Sequence, residues 1–185
     1  MRKLILQMML TVDGLYEGEG GDIGWHHVDE EFNVYAADFL RSVDGLVFGR
    51  ITYEGMAAYW PTAYAMERDP VVAERMNKLP KYVATRTLTE AEWENTTLLR
   101  GNAAEEIARL KESPGKALAL FGSSRLAVSL VQQGLIDEYR IFVNPLLLGR
   151  GSRFLQGLPV PRKLELLEAK AYRSGCVLLS YRPAG

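Results

Sequence analysis

Three short clusters of glycine, hydroxyl and arginine residues stand where apolar runs end: Gly49-Arg50-Ile51-Thr52-Tyr53, Thr85-Arg86-Thr87 and Gly122-Ser123-Ser124-Arg125. Such clusters suit an anion. Glycine removes the side chain that would keep a ligand off the backbone, and hydroxyls add donors. An arginine fork matches two phosphate oxygens. Two of the clusters also open helical stretches, whose first N–H groups are unpaired and carry partial positive charge. Each cluster alone is also what an ordinary strand-to-helix turn looks like. Three together, two of them with arginine, point to one elongated phosphate-bearing ligand.

The elements around the clusters follow from hydropathy. Residues 3–12 are nearly all apolar, as in a strand covered on both faces. Asp13-Gly14 and Gly18–Asp22 read as a loop. Phe32, Tyr35, Ala36, Phe39 and Leu40 form a helical stripe over 29–41, with Asp29 as its N-cap. Strands are expected at 45–49, 81–85 and 117–121, with a short one at 98–99. Helices are expected at 50–59, where Pro61 ends the run, and at 70–77, 102–111 and 124–133. Gly134 suits a left-handed helix terminator. Asp137–Val143 alternates like a half-exposed strand, and 163–172 with 176–181 reads as a hairpin about Ser174-Gly175. Strand–helix alternation followed by strands predicts a mixed α/β sheet with a parallel core and antiparallel edge strands. In open sheets of this kind ligands sit outside the carboxyl ends of the strands, where the three clusters lie.

Composition bounds the function. The 185 residues suit a single domain, 1–185, which at this length buries about 70% of its unfolded surface. A formal net charge of −1 gives no field for nucleic acid or an anionic membrane. No apolar run approaches the roughly 20 residues a membrane helix needs. Arg2-Lys3 and the following apolar residues lack a signal-peptide cleavage site, and Cys176 is the only cysteine. The expectation is a soluble, cytoplasmic protein. His26 and His27 have no acid or cysteine partner at ligand spacing, so no metal is expected. Trp25 could stack on a flat substrate. Asp137-Glu138 reads as the exposed start of a strand.

The same residues carry a family resemblance. Thr11-Val-Asp13-Gly14, Gly49-Arg50-Ile-Thr52-Tyr53-Glu54, Lys81-Tyr-Val-Ala-Thr85-Arg86-Thr-Leu88, Gly122-Ser123 and Gly134-Leu-Ile-Asp137-Glu138 are followed by Pro145-Leu-Leu-Leu-Gly149-Arg-Gly151. In this order they resemble the dihydrofolate-reductase-like superfamily, and specifically stand-alone relatives of the riboflavin-biosynthesis reductase (RibD C-terminal) domain. The resemblance covers essentially the whole chain. It implies a dihydrofolate-reductase-like mixed sheet with a parallel core, helices on both faces and a C-terminal antiparallel hairpin.

The resemblance also implies NADPH as cofactor. Gly49, Arg50 and Thr52 would contact its phosphates, Thr85 and Arg86 its adenosine 2′-phosphate, and Gly122, Ser123 and Ser124 its pyrophosphate. The Asp13–Gly21 loop resembles the one that closes over the nicotinamide. Dihydrofolate reductases use a carboxylate on the first helix, but an ungapped count back from Arg50 reaches Asn33. Asp13, Trp25 and Asp29 are therefore the candidates on the catalytic side. The implied activity is hydride transfer to a small heterocyclic substrate, of the 5-amino-6-(5-phosphoribosylamino)uracil reductase type. The alternative is a non-catalytic NADP(H)-binding module of the same fold. Relatives of this kind are dimeric, and the apolar late strands also suit a homodimer.

Overall fold

The computed structural model describes Met1–Gly185. Its eight-stranded sheet contains β1 (Leu4–Thr11), β3 (Val43–Gly49), β4 (Lys81–Ala84), β5 (Thr96–Leu99), β6 (Ala117–Phe121), β7 (Glu138–Asn144), β9 (Leu164–Ala171) and β10 (Val177–Pro183). The strand order is β5-β4-β3-β6-β1-β7-β10-β9. All neighbours are parallel except β10, which runs antiparallel to β7 and to β9. A two-residue strand β8 (Ser152–Arg153) pairs with β2 (Leu15–Glu17) in a separate ribbon. The helices are α1 (Glu30–Ser42), α2 (Arg50–Tyr59), α3 (Ala63–Arg68), α4 (Pro70–Lys78), α5 (Ala103–Glu112) and α6 (Ser124–Gln132). None is long and apolar enough to cross a membrane.

The predicted fold class is the observed one, with helices on both faces of a mostly parallel sheet. One core joins Phe39 and Leu40 of α1, Tyr53 of α2 and Met76 of α4 to Leu46, Phe48 and Val83 of the strands. The other joins Ile107 of α5 and Leu130 of α6 to Leu4, Leu6, Val47 and Leu120. Strand β1, which separates them in the middle of the sheet, is buried along nearly its whole length, as its unbroken apolar run requires.

Four elements depart from the sequence reading. The strand at 138–144 is half-buried as read but does not lie at an edge; it lies inside the sheet, parallel to β1, and antiparallel pairing begins only with β10. Pro61 ends α2 as expected, but Thr62 caps a further helix, α3, by accepting the Ala65 N–H at 3.2 Å. The third is β5, which starts at Thr96 because Thr96 and Thr97 pair with Lys81 and Tyr82 despite their polarity. The fourth is the β2–β8 ribbon, whose strands are too short to show a period.

Asp137 is no exposed strand start either. Its Oδ2 accepts from Leu4 N at 2.7 Å and from the buried Lys111 ammonium at 2.6 Å. Lys111 also donates to Leu135 O at 2.6 Å. Gly134, at φ +66°, ends α6 and turns the chain so that this carboxylate reaches β1. The Gly-Leu-Ile-Asp run is thus a staple between α5, α6 and the central strand. A second buried lysine, Lys81, donates to Asn77 O, Leu79 O and Glu94 O at 2.6, 2.9 and 3.0 Å. Burial pulls its pKa down to about 8.

Removing one partner of a buried pair leaves the other charge uncompensated. Asp137→Ala should therefore cost about 3 kcal/mol, because it strands the Lys111 ammonium. Lys111→Met removes the charge itself and should cost less. Urea denaturation of both variants measures the difference, and equal losses would show that the buried charge is not what the carboxylate serves.

Candidate functional site

Strands β3 and β6 are neighbours, so their carboxyl ends bring Gly49 beside Gly122-Ser123. The two turns are interlocked. Ser123 N–H donates to Thr52 Oγ1 at 3.1 Å, while Ser123 Oγ accepts from Gly49 N–H at 2.8 Å and donates to Phe121 O at 3.0 Å. Gly122 and Ser123 both adopt left-handed conformations, at φ +54° and +56°. For serine this is uncommon and mildly strained, and the bonds around it hold it there. A Cβ on Gly122 would come within 3.3 Å of Thr52.

The consequence lies at the helix ends. Side chains cap α1 (Asp29), α3 (Thr62) and α5 (Asn102), but none caps α2, α6 or α4, the last of which starts on Pro70. The two helices that open from the interlocked turns thus leave their first-turn N–H groups without a side-chain acceptor. Two uncapped N-termini side by side form a concentration of donors and positive potential.

The remaining predicted contacts divide. Arg86 follows β4, is exposed and makes no ion pair or hydrogen bond within the chain. Arg50 is half-buried and holds Glu54 at 2.8 Å. Thr85 is buried, and its hydroxyl accepts from Thr87 N and Leu88 N at 3.2 and 3.0 Å. Ser124 is also buried and accepts from Leu155 N at 3.1 Å. Gly49, Thr52, Gly122 and Ser123 are brought together, then, while the hydroxyls of Thr85 and Ser124 already serve local turns.

The three candidates for the catalytic side lie beyond the end of β1. Asp13 accepts from Thr11 Oγ1, Leu148 N and Gly149 N at 2.6, 3.2 and 2.8 Å. These bonds, the Thr11 hydroxyl first, lower its pKa to about 2. Asp29 caps α1 by accepting from Phe32 N at 2.9 Å, which also lowers its pKa. Neither carboxylate holds a proton near neutrality. Trp25 donates to Asp22 O at 3.1 Å and meets the His26 ring edge-on at 4.5 Å.

Sequence reasoning passed over Asn144. It is buried at the end of β7; its Oδ1 accepts from His27 N at 3.0 Å and from the Cys176 thiol at 3.6 Å, and its Nδ2 donates to Leu10 O at 3.3 Å. No motif marks an asparagine for this work. Also missed was a groove of about 610 Å³ between α1 and the α3–α4 segment, lined by Val28, Asn33, Val34, Ala37, Arg68 and Val71. It depends on α3, which the sequence did not reveal. Asn33 there donates to the Asp69 carboxylate. Because α1 and α4 lead into parallel strands, their N-termini, which line one end of the groove, face the carboxyl edge of the sheet.

His26 gives this region a pH signature. Its Nε2 is buried without a partner, and burial lowers its pKa to about 4, against 6.5 when unfolded. Between those values the unfolded chain binds the proton and the folded one does not. Stability is therefore full above about pH 6.5 and falls as pH drops toward 4. His26→Gln should flatten that fall in thermal melts taken across the window. An unchanged profile would remove His26 as its cause.

The profile of the RibD C-terminal domain family matches residues 2–178. Two Bacillus subtilis (strain 168) proteins, themselves uncharacterized, are similar throughout. YyaP is 28% identical over 180 residues, spanning 97% of this chain and 94% of its own. YwjB is 28% identical over 173 residues, spanning 92% of each. Among solved structures, a Shewanella sp. PV-4 protein assigned by name to riboflavin biosynthesis superposes with a TM-score of 0.76 at 21% identity over 99% of both chains. The Thermotoga maritima diaminohydroxyphosphoribosylaminopyrimidine deaminase/5-amino-6-(5-phosphoribosylamino)uracil reductase gives 0.69 at 13% identity, over 99% of this chain and 57% of that one. Enterococcus faecalis dihydrofolate reductase, complexed with NADP(H), gives 0.68 at 15% identity over 99% and 97%. At these identities the superpositions speak for the shared fold, and the profile for the family: the chain belongs to the RibD C-terminal domain family.

Proposed function

We propose that the protein is an NADPH-dependent reductase that transfers hydride to a small heterocyclic substrate, of the 5-amino-6-(5-phosphoribosylamino)uracil reductase type. The observation that carries the reading is the pair of uncapped helix N-termini joined through Ser123, with no Cβ at Gly122 to obstruct approach. Backbone N–H groups of α2 and α6 would hold the pyrophosphate, with Gly49 and Thr52 shaping the turn. Arg86, exposed and unpaired at the end of β4, would meet the 2′-phosphate, with Arg50 released from Glu54 as a second cation. Bound there, NADPH supplies the hydride, and the chain supplies orientation and exclusion of water. The substrate would lie in the groove between α1 and α3–α4, with Trp25 at its open end. With Asp13 and Asp29 ionised and His26 neutral, the proton comes from water or from the substrate. That lack of a charged proton donor favours a second reading, an NADP(H)-binding module without turnover.

NADPH is expected to bind at least tenfold tighter than NADH, a difference of about 1.4 kcal/mol. Arg86→Ala should erase most of the preference, and Gly122→Val should abolish binding of both cofactors. Calorimetry decides, and equal affinity of the unaltered protein for the two cofactors overturns the assignment. Oxidation of NADPH by any pyrimidine or pterin candidate separates the enzyme from the module.

We further propose a homodimer. On the face away from α1, strands β7, β10 and β9 carry Ile141, Leu179, Tyr181, Leu166 and Leu164; Ile141 and Tyr181 pack partly against the second core, and the apolar face continues outward into the exposed edge strand β9. Leu164 and Leu166 are 41% and 53% exposed. An apolar sheet face of this extent calls for a partner, and a twofold copy offers the same surface. Light scattering should give twice the chain mass of 20.7 kDa. Leu166→Asp should return the monomer mass, and a monomeric mass for the unaltered protein, unchanged on concentrating, excludes the dimer.

A further inference from the structure

The other flank of α1 holds a second trough, also about 610 Å³, between the helix and the β7–β10–β9 part of the sheet. It shares Glu30, Val34 and Asp38 on the outer side of α1 with the first groove, and no residue with the strand-end turns or with the apolar face of β7, β10 and β9. Its floor and inner wall are Tyr35 and Phe39 of α1, Arg140 of β7, and Tyr172 beyond β9. Lys170 and Arg173 stand above them.

Arg140 is fixed in advance. Its Nε donates to Glu138 Oε1 at 2.7 Å, and its guanidinium lies 4.6 Å from the Phe39 ring centroid. Its side chain is 24% exposed, and its terminal amino groups make no second ion pair. The Lys170 ammonium has no carboxylate partner and lies 4.9 Å from the Tyr172 ring centroid. The Arg173 guanidinium is likewise unpaired; only its backbone N–H is engaged, with Glu31 at 2.9 Å. Tyr172 is 7% exposed, yet its buried hydroxyl has no hydrogen-bond partner. Such an orphan is costly unless something completes it.

The acids facing the trough are placed differently. Glu31 already accepts from Arg173 N, and Asp38 pairs with Arg41 at 2.7 Å. Glu30 is exposed at the rim. Glu138 is taken by Arg140, and Glu168, on the same strand face as Lys170, is exposed. Held or unpaired cations and aromatic rings thus line the inside, while the carboxylates are bonded or exposed. We propose that this trough is a ligand site for a small organic anion with a flat apolar body, an aromatic carboxylate or phosphate ester. The rings would take the body, and Arg140 with Lys170 and Arg173 the anionic head.

Benzoate and phenyl phosphate are suitable probes, titrated into the full chain by chemical-shift mapping and calorimetry. At least one should bind one-to-one with a Kd of about 1 mM or tighter, near −4 kcal/mol. The perturbed resonances should fall on residues 31–39 and 168–173. The exposed double variant Lys170→Ala/Arg173→Ala should weaken binding at least tenfold, and Arg86→Ala should leave it unchanged. Tighter binding of phenyl phosphate would identify the head group as phosphate, and tighter binding of benzoate as carboxylate. Failure of both probes, unaltered binding in the double variant, or perturbations confined to 49–52 and 122–124 overturns the proposal. The last result would leave the cofactor reading standing while removing this one.

Discussion

The left-handed serine at the end of β6 is the constraint on which the rest of the site depends. Its hydroxyl and N–H are both committed to the neighbouring strand end, so it cannot turn back to cap its own helix. Thr52 is held in the same way by the bond it accepts. One set of side-chain bonds therefore fixes the separation of two helix ends and keeps both open. The usual way of stabilising a helix start is forgone at both of these ends, as it also is at the proline start of α4, at about 1 kcal/mol for each missing cap. Local rules are broken here, and function is the ordinary reason for that.

The shape of the carboxyl edge follows from register. Strand β6 ends opposite Gln7, whereas β1 and β7 stay paired from Met8 to Thr11. Four more residues raise those two strands roughly 13 Å above the β6 end. The donors of α2 and α6 thus sit at the foot of a step rather than on a level edge. Asp13 and Asn144, at the top of the step, tie down the loops that overhang it.

The fold was legible wherever a single period dominated. The uninterrupted apolar run of β1, the stripe on α1 and the glycine ends of β3 and β6 all led to the right elements. The turns at Gly49–Thr52 and Gly122–Ser124 could be read because glycine and hydroxyl residues mark the ends of two apolar runs. What escaped was set by partners distant in the chain. Asp137 looks like a solvated acid until Lys111 and Leu4 are brought to it. Asn144 has no local signature, since its bonds to His27, Leu10 and Cys176 run to distant segments. Two-residue strands and a six-residue helix are too short to show periodicity, so β8 and α3 were beyond reach.

The single amide of Asn144 has one more consequence. Its oxygen is shared by the His27 N–H of the overhanging loop and the thiol of Cys176, which sits beneath the final hairpin. Loop and hairpin thereby rest on one atom. Cys176 is buried and is the chain's only sulfhydryl. A reagent that reaches this thiol must first part it from the oxygen on which the loop also rests, so a buried thiol and the overhanging loop share a single anchor.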